Sequence, residues 1–277
     1  MGILIHMPIM MQDIPNHDGL DSMHFNQNMI TSGRWFLTVA CGLSSYYTLP
    51  WLIGLLAVFY LALAGAVLVE VLEVRDTTTV ILISSLLVSF PTLTSNFAYV
   101  FTMDGYMFGL FLAILSVWLT KRKRLGFISG AVCLAFSLGI YQAYLAFAVL
   151  LCIYGILMIA MDEGDSRDKF LQSLHYLYMG IFGVMGYFVI LQIMLKLQGK
   201  EMSSYHGGNS MGTMGMDQLV GTVKRMYTDF FAFTLKGNIL VNNVFTTMVV
   251  IMLVLLVVIT LVQLVVEKRW WKNPWLY

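Results

Sequence analysis

Two carboxylates and an imidazole fall within six residues, Asn16-His17-Asp18-Gly19-Leu20-Asp21. Asp18 and Asp21 are three apart, so they share a face on a helix and can still converge on one site in a loop. Acids paired in this way have two chemistries open to them. One acts as a general base while the other binds a hydroxyl-bearing acceptor, or both ligate a divalent cation through oxygen. His17 is either a donor to a phosphate or an ordinary solvated histidine. The whole stretch is also compatible with a plain solvated loop. What singles it out is its setting, because 11% of the chain is charged and 59% is apolar.

Other polar residues stand out against the same background. Arg34 is placed to contact a lipid phosphate, or else to anchor a helix by snorkelling. Asp104 is read as a loop residue in the sharp turn Thr102-Met103-Asp104-Gly105-Tyr106. Tyr141 and Gln142 interrupt a long apolar run, as a helix cap or as a hydrogen-bonding pair facing a cavity. Glu70 and Glu73, near Arg75, read as interfacial anchors. Cys41, Cys133 and Cys152 follow no metal or disulfide spacing. A Gly-rich phosphate loop, a His-Glu-x-x-His motif and a nucleophile elbow are all missing from the sequence. A transferred group would therefore arrive through the membrane, attached to a lipid.

The elements that must position these residues are membrane helices. Mean hydropathy is +0.79 over 277 residues, which predicts an all-α, polytopic transmembrane bundle forming one domain over 1–277. Net charge is +1, which implies no nucleic-acid partner. Seven runs approach the roughly 20 residues needed to span: 51–72, 80–101, 106–120, 125–140, 143–161, 174–195 and 244–266. Residues 1–11 resemble the outer end of a first span that is cut short. The basic cluster Lys121-Arg122-Lys123-Arg124 predicts a cytoplasmic loop. Alternation then puts 13–50, the Asp104 turn, the Tyr141-Gln142 turn and 198–243 outside. Phe25, Met29, Phe36, Val39 and Leu43 recur at helical spacing and predict an interfacial amphipathic helix, weakened by Gly33. Leu219, Val223, Met226, Phe230 and Phe233 predict a second, with Lys224 and Arg225 between them.

The order of certain pieces is similar to a known family. Asn16–Asp21, Phe25-Asn26-Gln27-Asn28 and Thr31-Ser32-Gly33-Arg34-Trp35 resemble the first outer loop of polytopic bacterial glucosyltransferases of the Gtr type II family. Phe101–Tyr106 and Leu138-Gly139-Ile140-Tyr141-Gln142-Ala143-Tyr144 resemble later pieces of it. The resemblance implies a GT-C-like bundle in the bacterial cytoplasmic membrane, with its active site facing outward. It implies transfer of glucose from undecaprenyl-phosphate-glucose to a surface glycan such as O-antigen, with no metal or other cofactor expected. By position it makes Asp18 the residue acting on the acceptor, Asp21 the second candidate and Asp104 a further acidic position. His17, Arg34, Tyr106, Tyr141, Gln142, Lys224 and Arg225 become the substrate-binding candidates, with the cations near the lipid phosphate. Relative to this family the chain is expected to be incomplete at both ends. The rival readings are a transporter or flippase of a lipid-linked sugar, and a non-catalytic scaffold. Near-absence of charge at mid-depth argues against an ion-coupled carrier.

Overall fold

The computed structural model describes residues 1–12, 29–42, 49–122, 125–162, 164–203 and 216–236, with short helical pieces at 244, 248, 251–259 and 262. Its described residues are mostly helical, with no strand among them. The chain divides into two compact units, Met1–Gly208 and Asn209–Tyr277.

The first unit is built around one helix. The helices are α1 (Gly2–Met10), the single turn α2 (Leu37–Ala40), α3 (Pro50–Val71), α4 (Thr77–Ser89), α5 (Pro91–Asn96), α6 (Met103–Arg122), α7 (Gly126–Ile140), α8 (Tyr144–Met161) and α9 (Ser166–Gln198). α6 packs on α3 along one side and on α7 along the other, and α7 in turn packs on α9. α3 starts with proline at its first turn, where the missing N–H costs nothing. It buries Ile53, Ala57, Leu61, Ala64 and Leu68, a stripe at helical spacing with two alanines that let the backbones approach. Among the described residues, four helices are long and apolar enough to span a membrane, α3, α6, α8 and α9, and α6 is the most buried of them. It is also the least hydropathic. A helix surrounded by other helices needs small and polar groups for packing, whereas its neighbours must face lipid. Buried Ser137 on α7, for example, donates to the Gly109 carbonyl of α6 at 2.7 Å.

Three expectations are corrected here. The run 80–101 is not one span: Phe90 turns extended (ψ 128°) before Pro91, dividing it into α4 and α5. Proline disfavours helical backbone in the residue before it and lacks the N–H that would continue the ladder. As expected for 125–140, α7 is short, at 15 residues, and the break at Tyr141–Ala143 falls where the polar pair stands. α9 extends eight residues before Leu174 and closes on Gly199 in the left-handed region (φ 60°). At 33 residues it is roughly 50 Å long, more than the hydrocarbon thickness.

The third correction concerns residues 29–42. They do not form an amphipathic interfacial helix. Turns lead to Gly33 at φ +81°, and only Leu37–Ala40 is helical. The burial also differs from the expected stripe. Val39 is 68% exposed, whereas Met29, Trp35, Leu37 and Cys41 are buried. The segment is packed into the bundle. Phe36 N–H donates to Gly139 O at the end of α7, at 2.8 Å, and Leu37 lies against the start of α6. Residues 13–28 and Leu43 lie outside the described residues, as do Lys123, Arg124 and about half of 244–266.

The connections separate into two ends as the alternation required. At one end Glu70 pairs with Arg122 at 2.7 Å and with Arg75 at 3.3 Å, and Glu73 pairs with Lys121 at 3.0 Å. Tyr154 of α8 donates to Leu72 O there. At the other end residues 29–42 meet the start of α6, the α7–α8 connection and Ser203, whose N–H donates to Thr31 O. The second unit contains α10 (Met216–Lys236), the expected amphipathic helix, which exposes Val220, Met226, Tyr227 and Phe230.

Candidate functional site

Gly33 makes the turn that aims Arg34. At φ +81° it occupies a backbone region L side chains rarely enter. A Cβ there would also lie 2.4 Å from Gln142 Nε2 and 2.5 Å from Tyr187 Oη, so only glycine fits. Those two groups hold the turn. Gln142 Nε2 donates to Ser32 O at 3.0 Å and to Tyr187 Oη at 3.0 Å, and Tyr187 Oη donates to Gly33 O at 3.0 Å. Three distant parts of the chain thus meet in one hydrogen-bonded knot. Trp35 seals it from the side, since its indole lies where a Cβ on Gly139 would be, within 2.7 Å.

The knot presents Arg34 to an aromatic wall. Its Nη1 donates to Tyr106 Oη at 3.3 Å, and its Cζ lies 5.2 Å from the centre of the Tyr141 ring, within cation–π range. Tyr106 and Tyr141 sit with ring centroids 5.2 Å apart. Tyr144 supports both, edge-on to Tyr141 and donating to Tyr106 O at 2.7 Å. Arg34 Nε is buried and has no hydrogen-bond partner, and Arg34 makes no ion pair among the described residues. An uncompensated guanidinium with an unused buried donor is a costly arrangement in the absence of an anion. A phosphate would satisfy it, since the guanidinium fork matches phosphate oxygens.

The structure brings together four of the sequence candidates, Arg34, Tyr106, Tyr141 and Gln142. Asp104 stands two residues before Tyr106. It is not the loop residue expected from sequence: it lies in the first turn of α6, 2% exposed, with its Oδ1 accepting from Gly105 N–H at 2.9 Å. A carboxylate is favoured there by the helix dipole. His17, Asp18 and Asp21 lie outside the described residues; the described chain resumes at Met29. Lys224 and Arg225 are on α10 in the second unit. Sequence reasoning missed Tyr187. Its signal was a hydroxyl inside an otherwise apolar run, because a buried tyrosine usually finds a partner for its O–H. Among the described residues no group of three or more His, Cys, Asp or Glu is placed to hold a metal ion.

The family model for Glucosyl transferase GtrII matches residues 7–277. The chain belongs to that family. The match covers the Arg34 turn, Tyr106, Tyr141, Gln142 and α10. No significant match joins it to a curated protein or to a solved structure. Membership supports glucosyltransferase activity in a membrane-helical protein that meets a sugar donor and an acceptor.

Proposed function

We propose that this GtrII protein transfers glucose from undecaprenyl-phosphate-glucose to a cell-surface glycan, such as O-antigen, at the outer face of the bacterial cytoplasmic membrane. The observation that carries the reading is Arg34, a half-buried cation with an unpartnered Nε, held against Tyr106 at one end of a helical bundle. Such a group suits a phosphate at the lipid–water boundary. The single domain over 1–277 is kept as part of the proposal.

In this reading the phosphate of the donor lies against Arg34, with Tyr106, Tyr141 and Gln142 shaping the surroundings of the sugar. The Asp18 carboxylate takes the proton from an acceptor hydroxyl as its oxygen bonds to the anomeric carbon. The bond from that carbon to the phosphate oxygen breaks, and undecaprenyl phosphate leaves with the electron pair. Arg34 stabilises the charge developing on the leaving phosphate. Asp21 and His17 bind the acceptor beside Asp18, and Asp104 sets the start of α6. No metal is required, because a lipid monophosphate leaves with a cationic side chain to meet it.

The test is transfer of labelled glucose by the purified protein from undecaprenyl-phosphate-glucose to glycan. Asp18→Asn is expected to lower kcat by roughly 10²- to 10⁴-fold, the usual weight of a general base. Near-normal transfer by Asp18→Asn removes that assignment. Movement of labelled lipid-sugar across vesicles with no transfer by the wild type would replace the enzyme reading with a flippase.

A further inference from the structure

The Gln142 carboxamide has one edge occupied and one edge open. Ser32 O is a carbonyl oxygen and can only accept, so the amide atom 3.0 Å from it is the NH2 group. Tyr187 gives its own hydrogen to Gly33 O, and it accepts from the same nitrogen at 3.0 Å. Both N–H bonds of the amide are then spent. A flip would set the amide oxygen against the Ser32 carbonyl, so the place of Oε1 is fixed. A Cβ on Gly33 would lie 2.4 Å from Nε2 but 3.7 Å from Cδ. The nitrogen edge therefore faces the turn, and the oxygen edge faces away from it. Among the described residues no donor reaches Oε1. Unlike Arg34 Nε and Trp35 Nε1, Oε1 is not closed in.

The carboxamide belongs to the Arg34 cluster on three counts. Ser32, which it holds, stands two residues before Arg34. Tyr141, the residue before Gln142, has its ring centre 5.2 Å from Arg34 Cζ. Tyr187 Oη, the other partner of the amide, is within electrostatic reach of the guanidinium. The cluster thus joins a cation that suits a phosphate to a neutral oxygen that can only accept.

We propose that Gln142 Oε1 accepts a hydrogen bond from one hydroxyl of the donor's glucose, which makes Gln142 a specificity-determining residue. The proposal rests on the glucosyl-phosphate donor reading above and adds the atom that reads the sugar. A phosphate oxygen would be repelled by Oε1, and an apolar tail offers it nothing. A sugar hydroxyl supplies the missing hydrogen, and in a glycosyl phosphate the sugar is joined directly to the group that suits Arg34. A fixed acceptor tells a hydroxyl from a bare C–H, because the analogue lacking the hydroxyl leaves the acceptor covered and without a partner.

The test sets variants of the protein against variants of the donor. Values of kcat/KM are measured for undecaprenyl-phosphate-glucose and for a set of analogues, each lacking one sugar hydroxyl. Gln142→Met and Gln142→Ala both remove the acceptor, so that one failing to fold leaves the other. Tyr187→Phe loosens the same turn but keeps Oε1. The readout is the ratio of kcat/KM for glucose to that for each deoxy analogue, which a general loss of activity does not move.

Wild type and Tyr187→Phe are expected to disfavour one analogue roughly tenfold. The Gln142 variants are expected to bring that one ratio close to unity and to leave the others as in wild type. Indifference of the wild type to every missing hydroxyl overturns the proposal without recourse to a variant. Retention of every ratio by the Gln142 variants also overturns it. So does loss of the same ratio in Tyr187→Phe, because the turn and not Oε1 would then set the preference. Failure of the wild type to use the glucose donor defeats the donor reading itself, a result separate from these.

Discussion

The Tyr187 hydroxyl lies 3.0 Å from the Gly33 carbonyl oxygen, tying the interior of α9 to a turn 154 residues earlier. The same hydroxyl accepts from Gln142 Nε2, which also reaches Ser32 O. Arg34 itself makes one side-chain hydrogen bond, to Tyr106. Its direction is therefore set largely by the backbone of Ser32 and Gly33, and that backbone is set by Gln142 and Tyr187.

Removal of this one oxygen should loosen the arginine without touching it. Tyr187→Phe leaves the Gly33 carbonyl and one Gln142 N–H short of a partner, a cost of about 1–3 kcal/mol. The expected outcome is a tenfold or larger fall in kcat/KM for the lipid-linked donor, with the protein still folded and inserted. A merely structural hydroxyl would lower thermal stability alike but leave kcat/KM of the folded fraction unchanged. Steady-state kinetics on the monodisperse protein separate the two.

Gly33→Ala should be more damaging than its size suggests. The left-handed backbone alone costs an L residue roughly 1–2 kcal/mol. The new methyl would also displace Gln142 Nε2 and Tyr187 Oη, both within 2.5 Å of its position. The variant is expected to lose transfer almost completely and to unfold at lower temperature than Tyr187→Phe. Equal stability of the two variants would show that the turn can shift as a unit.

How far this was legible in sequence differs by element. The break between α7 and α8 was readable because Tyr141 and Gln142 bring polar tips into an apolar run, and the structure uses those same tips at the site. α10 was readable because its polar and apolar faces separate at one period. Residues 29–42 misled because Met29, Phe36 and Val39 fall at helical spacing by coincidence. Burial there is imposed by α6 and α7, which cover Leu37 and Cys41 and leave Val39 exposed. Asp104 was noticed but misplaced, since nothing local distinguishes a turn from a buried first helical turn. Tyr187 was hidden because its value comes from Gly33, a residue far away in the chain. Pro91 was visible, but the continuous apolar run around it concealed the kink.

Arg34→Lys tests geometry with the charge retained. Lysine offers a compact ammonium in place of a planar fork, and it has no equivalent of the buried Nε. Transfer is expected to fall by roughly 10- to 100-fold, about 1.4–2.8 kcal/mol of transition-state stabilisation. Arg34→Ala should fall further, with weaker retention of polyprenyl phosphate on the protein. Wild-type kinetics for Arg34→Lys would reduce the residue to a charged anchor.

Acid should fray the start of α4. The Asp76 carboxylate accepts from Thr79 N–H at 2.8 Å and from the Thr79 hydroxyl at 2.9 Å. The backbone bond first, then the hydroxyl, holds its pKa below the ordinary aspartate value. The folded chain thus binds this proton less readily than the unfolded one. The cap is at full strength above the ordinary value of about 3.9, and it is lost as pH falls through the lowered one. Amide exchange at Thr79 and Val80 should accelerate in that window in wild type. In Asp76→Ala it should be fast throughout, with no acid step.

The sidedness of the site rests on charges at the opposite end. Lys121 and Arg122 are paired with Glu73 and Glu70, a pairing that would cancel the topological signal if net charge set orientation. It does not, because orientation follows the count of Lys and Arg near the membrane, and acidic residues contribute little. The proposed function therefore requires the end that carries Arg34 to be the outer one. In a background with Cys41, Cys133 and Cys152 replaced by serine, Asn16→Cys should react with an impermeant maleimide in intact cells. Lys123→Cys should react only after the membrane is opened. The reverse pattern would put Asp18 on the cytoplasmic side, away from the surface glycan, and outward glucosyl transfer by this protein would have to be abandoned.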